Sequence, residues 1–279
     1  MPYDDQYQHE TLMSNCECLL FDVDDTLYSR SSGLSEACTR NIEEYMSTEL
    51  GLEKNEIPQL NRILYKEYGT SMAGLKAIGY DFDDDEYHSF VHGRLQYENL
   101  KPDPFLRNLL HSLPIRKVIF SNADKTHVSK VLSKLGLEDC FEQVICFETL
   151  NPKNTTPDRE FNTNYASSNN EHGGGSIFPK TPIVCKPFED AFQQAFKLAN
   201  INPSRTVFFD DSTRNIETGK RMGLRTVLVG TSNQTTGADH ALESIHNIKE
   251  ALPDLFTASK EPKFNIHAGK VGIETSVTA

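Results

Sequence analysis

The chain has 279 residues, enough for one large domain or two unequal ones, and 37% of them are hydrophobic while 24% are charged. This composition excludes fibrous and disordered chains. The formal net charge of −12 disfavours binding to nucleic acid polymers and to anionic membranes, so an anionic substrate needs a local cation.

The sequence shows no sign of a membrane span or a secretory signal. No stretch has the roughly 18 apolar residues that a span requires, and the polar segment 1–15 is expected to be flexible. We therefore expect a cytoplasmic protein, with the nucleus as an alternative, that is a monomer or a weak homodimer. The six cysteines have neither disulfide-framework nor zinc-ligand spacing, so we expect them to be reduced.

Five short apolar runs, rich in β-branched and aromatic residues, predict buried parallel strands. They cover residues 18–21, 117–120, 144–147, 206–209 and 225–229. Helical spacing of apolar residues follows the second and fourth runs and ends at a glycine in each case. Alternation of strand and helix predicts an α/β core with right-handed crossovers.

An insertion separates the first two predicted strands. Residues 31–113 contain helical patterns and no convincing strand, so they predict a separate helical subdomain, called the cap below. The predicted core therefore comprises 16–30 and 114–260. Within it, residues 151–182 are poor in large apolar side chains and predict a mobile loop, and 261–279 predict a frayed tail.

Acidic residues follow two of the predicted strands. Asp22 and Asp24 follow the first strand, and their spacing places both side chains on one side of an extended chain. Asp210 and Asp211 follow the fourth. Either pair alone is explained by a helix cap or a turn. Two pairs at strand ends indicate one shared site, because open α/β sheets bind ligands at that edge.

Clustered carboxylates at this edge need a counter-charge. Two unit charges 4 Å apart repel by about 4 kcal/mol at an effective dielectric constant near 20. Either the carboxyl pKa values rise or a cation lies among them. Hard oxygen ligands of this kind suit Mg²⁺.

Two weaker signals complete the pattern. Ser121 and Asn122 follow the second predicted strand, and Lys186 stands beside a proline in a later segment. Taken alone, the first two are explained by a helix N-cap and the lysine by a solvated surface position.

In chain order, these four elements resemble the motifs of the haloacid dehalogenase superfamily: Asp-x-Asp-x-Thr, then Ser or Thr, then Lys, then an acidic pair. The resemblance implies a Rossmann-like parallel-sheet core with an inserted all-helical cap. It also implies a Mg²⁺-dependent phosphatase of a small phosphorylated metabolite. Asp24 separates the chain from the dehalogenases of the superfamily, which lack an aspartate at that position.

By this resemblance, Asp22 is the nucleophile that becomes an aspartyl phosphate, and Asp24 protonates the leaving group and later activates water. Lys186 neutralises a phosphate oxygen, while Ser121 and Asn122 bind the transferring group.

The resemblance also implies a metal site. It assigns Mg²⁺ to the Asp22 side chain, the Asp24 backbone carbonyl and the Asp211 side chain. Asp210 and Asn215 are expected to orient metal-bound water and Lys186.

Within the superfamily, the chain is most similar to the pyrimidine 5′-nucleotidases of fungi and plants, through residues 21–28, 68–70, 74–75 and 100–103. This similarity implies a pyrimidine nucleoside 5′-monophosphate as substrate. Sugar phosphates or other small phosphometabolites, a phosphomutase activity, and a non-catalytic binding module remain as alternatives.

The cap supplies further candidates for substrate contact. Tyr68, Thr70 and Arg94 offer an aromatic face, a hydroxyl and a positive charge, and His92 and Tyr97 could close over the ligand. Taken singly, each of the five is better explained by packing or solvation, but as a group we expect at least one to contact the substrate.

Overall fold

The computed structural model describes residues 16–153 and 179–256. The predicted flexible segment 1–15, most of the predicted loop 151–182 and the predicted tail 261–279 lie outside the described residues.

The core is a six-stranded, fully parallel sheet with strand order β3-β2-β1-β4-β5-β6. Its strands are β1 Cys18–Phe21, β2 Arg116–Phe120, β3 Gln143–Ile145, β4 Thr206–Asp210, β5 Arg225–Val229 and β6 His240–Leu242. Phe21, at the end of β1, is in register with Ile119 on β2 and Phe209 on β4. The segments that leave these three strands therefore start side by side at one edge of the sheet.

Helices separate the strands and form the insertion. They are α1 Leu34–Thr48, α2 Ile57–Tyr68, α3 Ser71–Ala77, α4 Asp84–Val91, α5 Pro104–Ser112, α6 Lys125–Leu135, α7 Phe147–Leu150, α8 Glu189–Leu198, α9 Thr213–Arg221 and α10 Ile248–Ala251. Short 3-10 turns lie at Arg30–Ser32, Tyr97–Asn99, Pro203–Arg205, Ile245–Asn247 and Pro253–Phe256.

The predicted strands agree with the sheet except at two places. The third strand ends at Ile145, and Phe147, predicted as strand, begins α7. The chain turns there because the Cys146 amide donates to the Thr149 hydroxyl and the Phe147 amide donates to the Ala123 carbonyl. The sixth strand was not predicted, since its three residues are too few to show a period.

Both faces of the sheet are buried, as a parallel sheet requires. Leu19 and Phe21 of β1 contribute to one hydrophobic cluster, while Cys18 and Leu20 contribute to the other. The Phe21 ring stacks on the Phe209 ring with centroids 4.6 Å apart. The alternation of side chains along β1 thus anchors its carboxyl end from both sides.

The cap has a hydrophobic cluster of its own. Helices α1 to α4 supply most of it, including Tyr45, Leu64 and Tyr87. Helix α5 lies within the predicted cap range 31–113, yet its Leu106 and Leu110 pack in the same cluster as β1. The separate packing unit therefore ends near α4, because the apolar face of α5 faces the sheet.

All six cysteines are free, and four of them are buried. In the described ranges, no helix is both long enough and apolar enough to cross a membrane.

Candidate active site

The first acidic motif lies in a tight turn at the end of β1. The Asp22 amide donates to the Phe209 carbonyl at 2.9 Å, which extends the pairing with β4 by one residue. The amides of Thr26 and Leu27 then turn back to the Val23 carbonyl. Asp25 adopts the left-handed region at φ 58°, which aspartate tolerates better than most residues. This turn keeps the motif at the edge of the sheet.

Lys186 is the charge at the centre of the site, and its side chain is only 1% exposed. Its ammonium donates to Asp22 Oδ1, Asp210 Oδ2 and the Phe120 carbonyl, each at 2.7 Å. These bonds use all three donors of the lysine. Burial would lower the Lys186 pKa, but Asp210 and Asp22 outweigh it and raise the pKa. The two carboxylates therefore favour the charged form of this buried ammonium.

Asn122 holds the backbone of that lysine. Its Nδ2 donates to the Lys186 carbonyl at 2.9 Å, and its Oδ1 accepts the Lys186 amide at 2.8 Å. Both ends of the Asn122 amide are thus engaged by Lys186. Neighbouring Ser121 is buried and accepts the Ala123 amide at 3.0 Å through Oγ, which leaves its hydroxyl proton available.

Asp210 and Asn215 form a fixed support for Lys186. Asp210 is fully buried, and its Oδ1 accepts the Ser212 amide at 2.9 Å. Asn215 Nδ2 donates to both Asp210 oxygens, at 2.9 and 3.1 Å. With Lys186 on Oδ2, Asp210 has little capacity left for another ligand. Its contacts therefore favour an orienting role.

One carboxylate oxygen from each of Asp22, Asp210 and Asp211 lies within 4.8 Å of the other two. Burial, followed by repulsion from neighbouring carboxylates, raises the pKa of Asp211 to about 9. Burial also raises the pKa of Asp22 to about 7, with Asp210 and Asp24 adding to the shift against the opposing effect of Lys186. A divalent cation held by these oxygens would relieve this repulsion, and the oxygen donors fit Mg²⁺.

Asp24 has a different environment from the other carboxylates. Its Oδ1 accepts the Tyr28 hydroxyl at 2.5 Å and lies 2.7 Å from His127 Nε2. Burial alone would raise the Asp24 pKa, but the charge and hydrogen bond of His127, with that of Tyr28, lower it to about 2. Sequence reasoning missed both partners. The only available signal was a histidine in the first turn of a helix that follows a strand end.

A cavity of about 680 Å³ opens over this edge of the sheet. Its core side includes Asp22, Asp24 and Lys186, and its cap side includes Tyr65 and Met72. Pockets that hold small ligands commonly measure 300–1,000 Å³, so the volume suits a metabolite-sized molecule.

The predicted cap contacts differ in position. Thr70 and His92 line the cavity, although Thr70 Oγ1 also caps α3 by accepting the Ala73 amide. Tyr68 is buried in the cap and donates to the Pro179 carbonyl. Tyr97 hydrogen-bonds His127.

Arg94 is not brought to the cavity lined by the described residues. Its guanidinium pairs with exposed Glu44 at 2.8 Å and lies over the Phe90 ring. The Arg94 charge is therefore paired on the outer surface of the cap.

Comparison with known families identifies the class of protein. Residues 16–223 match the haloacid dehalogenase-like hydrolases, and the chain belongs to that family. The match spans the ends of β1, β2 and β4, which carry Asp22, Ser121 and Asp210, and the segment before α8 that carries Lys186.

Individual relatives are more distant. The chain is 26% identical over 217 residues to Phosphate metabolism protein 8 of Saccharomyces cerevisiae; the alignment covers 75% of this chain and 60% of that protein. The alignment thus spans less than two thirds of the yeast protein.

Two solved structures share the fold. A HAD phosphatase from Thermococcus onnurineus has a TM-score of 0.51 at 18% identity, covering 84% of this chain and 96% of that one. CbbY from Rhodobacter sphaeroides, in complex with phosphate, has a TM-score of 0.53 at 18% identity, covering 86% and 99%. The predicted α/β core with a helical cap is confirmed.

Proposed function

We propose that the protein is a Mg²⁺-dependent phosphomonoester hydrolase that acts through an aspartyl-phosphate intermediate. The observation that carries this proposal is the contact between Asp22 and Lys186, a carboxylate and an ammonium buried together at the mouth of a metabolite-sized cavity. A buried lysine there serves to attract and neutralise an anion such as a phosphate group.

In the first step, an Asp22 oxygen attacks phosphorus. Asp24 is ionised in the ligand-free site and gains a proton when the phosphate dianion enters, because the added negative charge raises its pKa. The bond from phosphorus to Asp22 then forms, the bond to the leaving oxygen breaks, and Asp24 gives that oxygen the proton. In the second step, water attacks phosphorus, Asp24 takes the water proton, and the bond to Asp22 breaks. Asp22 returns to a carboxylate and Asp24 to its protonated form, so the cycle closes.

Like-charge repulsion is the main obstacle to the attack. The Lys186 ammonium lies 2.7 Å from Asp22 and offsets part of the repulsion between this carboxylate and a phosphate dianion. Ser121, whose hydroxyl donates to no group in the described ranges, is suited to donate to a phosphoryl oxygen. Asn122 contributes by holding the Lys186 backbone in place.

Mg²⁺ fits the carboxylate set described above. We assign it to Asp22, Asp211 and the backbone carbonyl of Asp24, since Asp210 is already engaged by Lys186, Asn215 and an amide. When bound, such an ion polarises the phosphoryl oxygens and neutralises developing charge.

We further propose that the substrate is a pyrimidine nucleoside 5′-monophosphate. The cavity is lined by Tyr65 and Met72 of the cap and by Phe147 at the start of α7, apolar groups that suit the face of a base. It also carries the polar side chains of Asn61 and Ser71, which are hydrogen-bonded to each other at 2.5 Å. This combination of apolar walls and a few polar groups is typical of a small-molecule site.

The reaction class is tested with p-nitrophenyl phosphate in the presence of Mg²⁺. We expect hydrolysis by the native chain and none above background by Asp22→Asn. Asp139→Asn serves as the matched control, because Asp139 is an exposed aspartate that pairs with Arg107 and does not line the cavity. Absence of activity over several pH values and metals would support a non-catalytic binding module instead.

The substrate class is tested with a panel of phosphate esters. We expect CMP and UMP to give higher kcat/KM than AMP, GMP, sugar phosphates and phosphocholine. A sugar phosphate at the top of the ranking would replace the nucleotide assignment without affecting the reaction class. Transfer of the phosphoryl group to a second sugar hydroxyl would indicate a phosphomutase.

A further inference from the structure

Among the described residues, hydrogen-bond partners hold Asp24 at one of its two oxygens. The Tyr28 hydroxyl and His127 Nε2 both contact Oδ1, at 2.5 and 2.7 Å. In the described part of the chain, nothing donates to Oδ2. The Asp24 side chain is 36% exposed and lines the cavity. The free oxygen is thus the one available to a ligand.

His127 is itself fixed from two directions. Its amide donates to Asp124 Oδ1 at 3.0 Å, which sets the first turn of α6. Its Nδ1 lies 2.8 Å from the Tyr97 hydroxyl, which donates to the His92 carbonyl at 3.0 Å. With the side chain only 2% exposed, the imidazole has no freedom to swing away from Asp24.

We propose that His127 is a positioning residue for this phosphatase: together with Tyr28 it holds Asp24 Oδ1, so that Oδ2 faces the leaving oxygen. The inference rests on the proposed function. It adds a residue that touches neither the phosphoryl group nor the metal site and acts only through Asp24. Proton transfer depends steeply on such alignment, because the donor oxygen and the leaving oxygen need to come within hydrogen-bond distance.

Tyr97 extends the arrangement to the cap. It lies in the segment by which the chain returns from the cap to the core, and its hydroxyl joins the His127 ring to the carbonyl of His92, just after α4. The orientation of the general acid is therefore tied to the end of the cap that lines the cavity.

Two substitutions separate positioning from simple packing. His127→Asn places an amide where Nδ1 lies, so it keeps a group beside Tyr97 and loses the donor to Asp24. His127→Gln places its amide nitrogen where Nε2 lies, so it can still donate to Asp24. His111→Asn is the matched control, because His111 is on the exposed side of α5 and pairs with Arg107 and Asp139.

The substrates are phenyl phosphate and p-nitrophenyl phosphate, which are similar in shape and independent of the nucleotide assignment. Phenol, with a pKa of about 10 like the tyrosine side chain, leaves poorly without a proton, whereas p-nitrophenol leaves as a stable anion. The measured quantity is kcat/KM with Mg²⁺, which reports the steps up to transfer of the phosphoryl group to Asp22.

For His127→Asn, we expect kcat/KM to fall about 10²-fold more for phenyl phosphate than for p-nitrophenyl phosphate, within the range of general acid catalysis. His127→Gln recovers most of this difference, and His111→Asn shows none. Tyr28→Phe, which removes the other donor to Oδ1, shifts the ratio in the same direction and provides the test should His127→Asn fail to fold.

Equal losses for both esters in His127→Asn and in Tyr28→Phe would overturn the positioning role, as would a Gln variant no better than the Asn variant. A native chain that hydrolyses neither ester would overturn the proposed function itself. The two failures are therefore distinguishable.

Discussion

Polar side chains have different environments in two regions of the molecule: the carboxyl edge of the core sheet, called the core edge below, and the cap. At the core edge, Asp22, Lys186, Asp210 and Asn215 are buried and hydrogen-bonded to one another. In the cap, Thr70 and His92 line the cavity, whereas Arg94 pairs with Glu44 of the cap and does not line it.

The difference follows from how each region is built. The carboxyl ends of parallel strands lie at one edge of the sheet. The motif residues at the ends of β1, β2 and β4 are therefore close together regardless of the sequence between the strands. Cap residues reach the cavity only if their helices turn the right face towards it, and a pattern of apolar residues does not specify which polar groups point inward. The sheet thus brings the motif residues at its strand ends together, whereas helix packing decides which cap side chains line the cavity.

The largest effect is expected at the nucleophile. Asp22→Asn removes the attacking oxygen charge and should lower kcat by roughly 10⁴-fold or more, as losses of nucleophiles do in other enzymes. Steady-state kinetics on an aryl phosphate measure it. A variant with near-native kcat would contradict the assignment of the core edge as the reacting region.

Removal of the divalent cation comes next. A chelator should reduce kcat at least about 10³-fold, because several kcal/mol of charge stabilisation disappear, and added Mg²⁺ should restore activity. At 100 times its Kd, bound Mg²⁺ should increase the free energy of unfolding by about 2.7 kcal/mol. The melting temperature of the native chain should therefore rise when Mg²⁺ is added. Asp211→Asn should weaken this thermal shift; an unchanged shift would remove Asp211 from the metal site.

The Asn122 amide offers an intermediate effect within the core edge. Asn122→Ala removes two hydrogen bonds to the Lys186 backbone and should cost about 1–3 kcal/mol of unfolding free energy. Misplacement of Lys186 should also lower kcat/KM by about 10–100-fold, a typical loss for a supporting group. Urea titration and kinetics on one preparation measure both, and full activity despite lower stability would make Asn122 purely structural.

The contact between the two regions is tested at Gly69, which adopts φ +81°. A Cβ there would lie 2.3 Å from the Lys186 carbonyl oxygen and 2.8 Å from Pro187 Cδ. Gly69→Ala should therefore lower both stability and kcat, by about 1–3 kcal/mol and severalfold. Gly79→Ala is the matched control, since Gly79 also has positive φ, +99°, and its Cβ would meet nothing within 4 Å. Equal effects in the two variants would show that backbone strain alone is responsible.

The smallest effect is expected at the outer surface of the cap. Arg94→Ala breaks an exposed pair with Glu44, which is worth about 0–1 kcal/mol, and should leave kcat/KM within about twofold of the native value. A tenfold rise in KM would instead show that Arg94 contacts the substrate in solution. The Arg94 side chain would then face the cavity, as polar side chains of the core edge do.

Much of the core could be predicted from the sequence because its signals are local. The first and fifth apolar runs coincide with β1 and β5, since buried parallel strands are continuous apolar segments. The prediction of a strand from the third run was wrong at Phe147, which begins a helix. There the Phe147 amide donates to the Ala123 carbonyl and the Cys146 amide donates to the Thr149 hydroxyl. Apolarity alone does not distinguish these outcomes.

The amino-acid sequence by itself determined the order of strands and helices and the acidic residues at the ends of β1 and β4. Short-range alternation of side chains and local turn chemistry specify those features. Only the tertiary structure decided that His127 holds Asp24, that Tyr97 joins the pair to the cap, and that Arg94 faces outward. These contacts join segments far apart in the chain, and their geometry depends on how helices pack against the sheet, which no local pattern encodes.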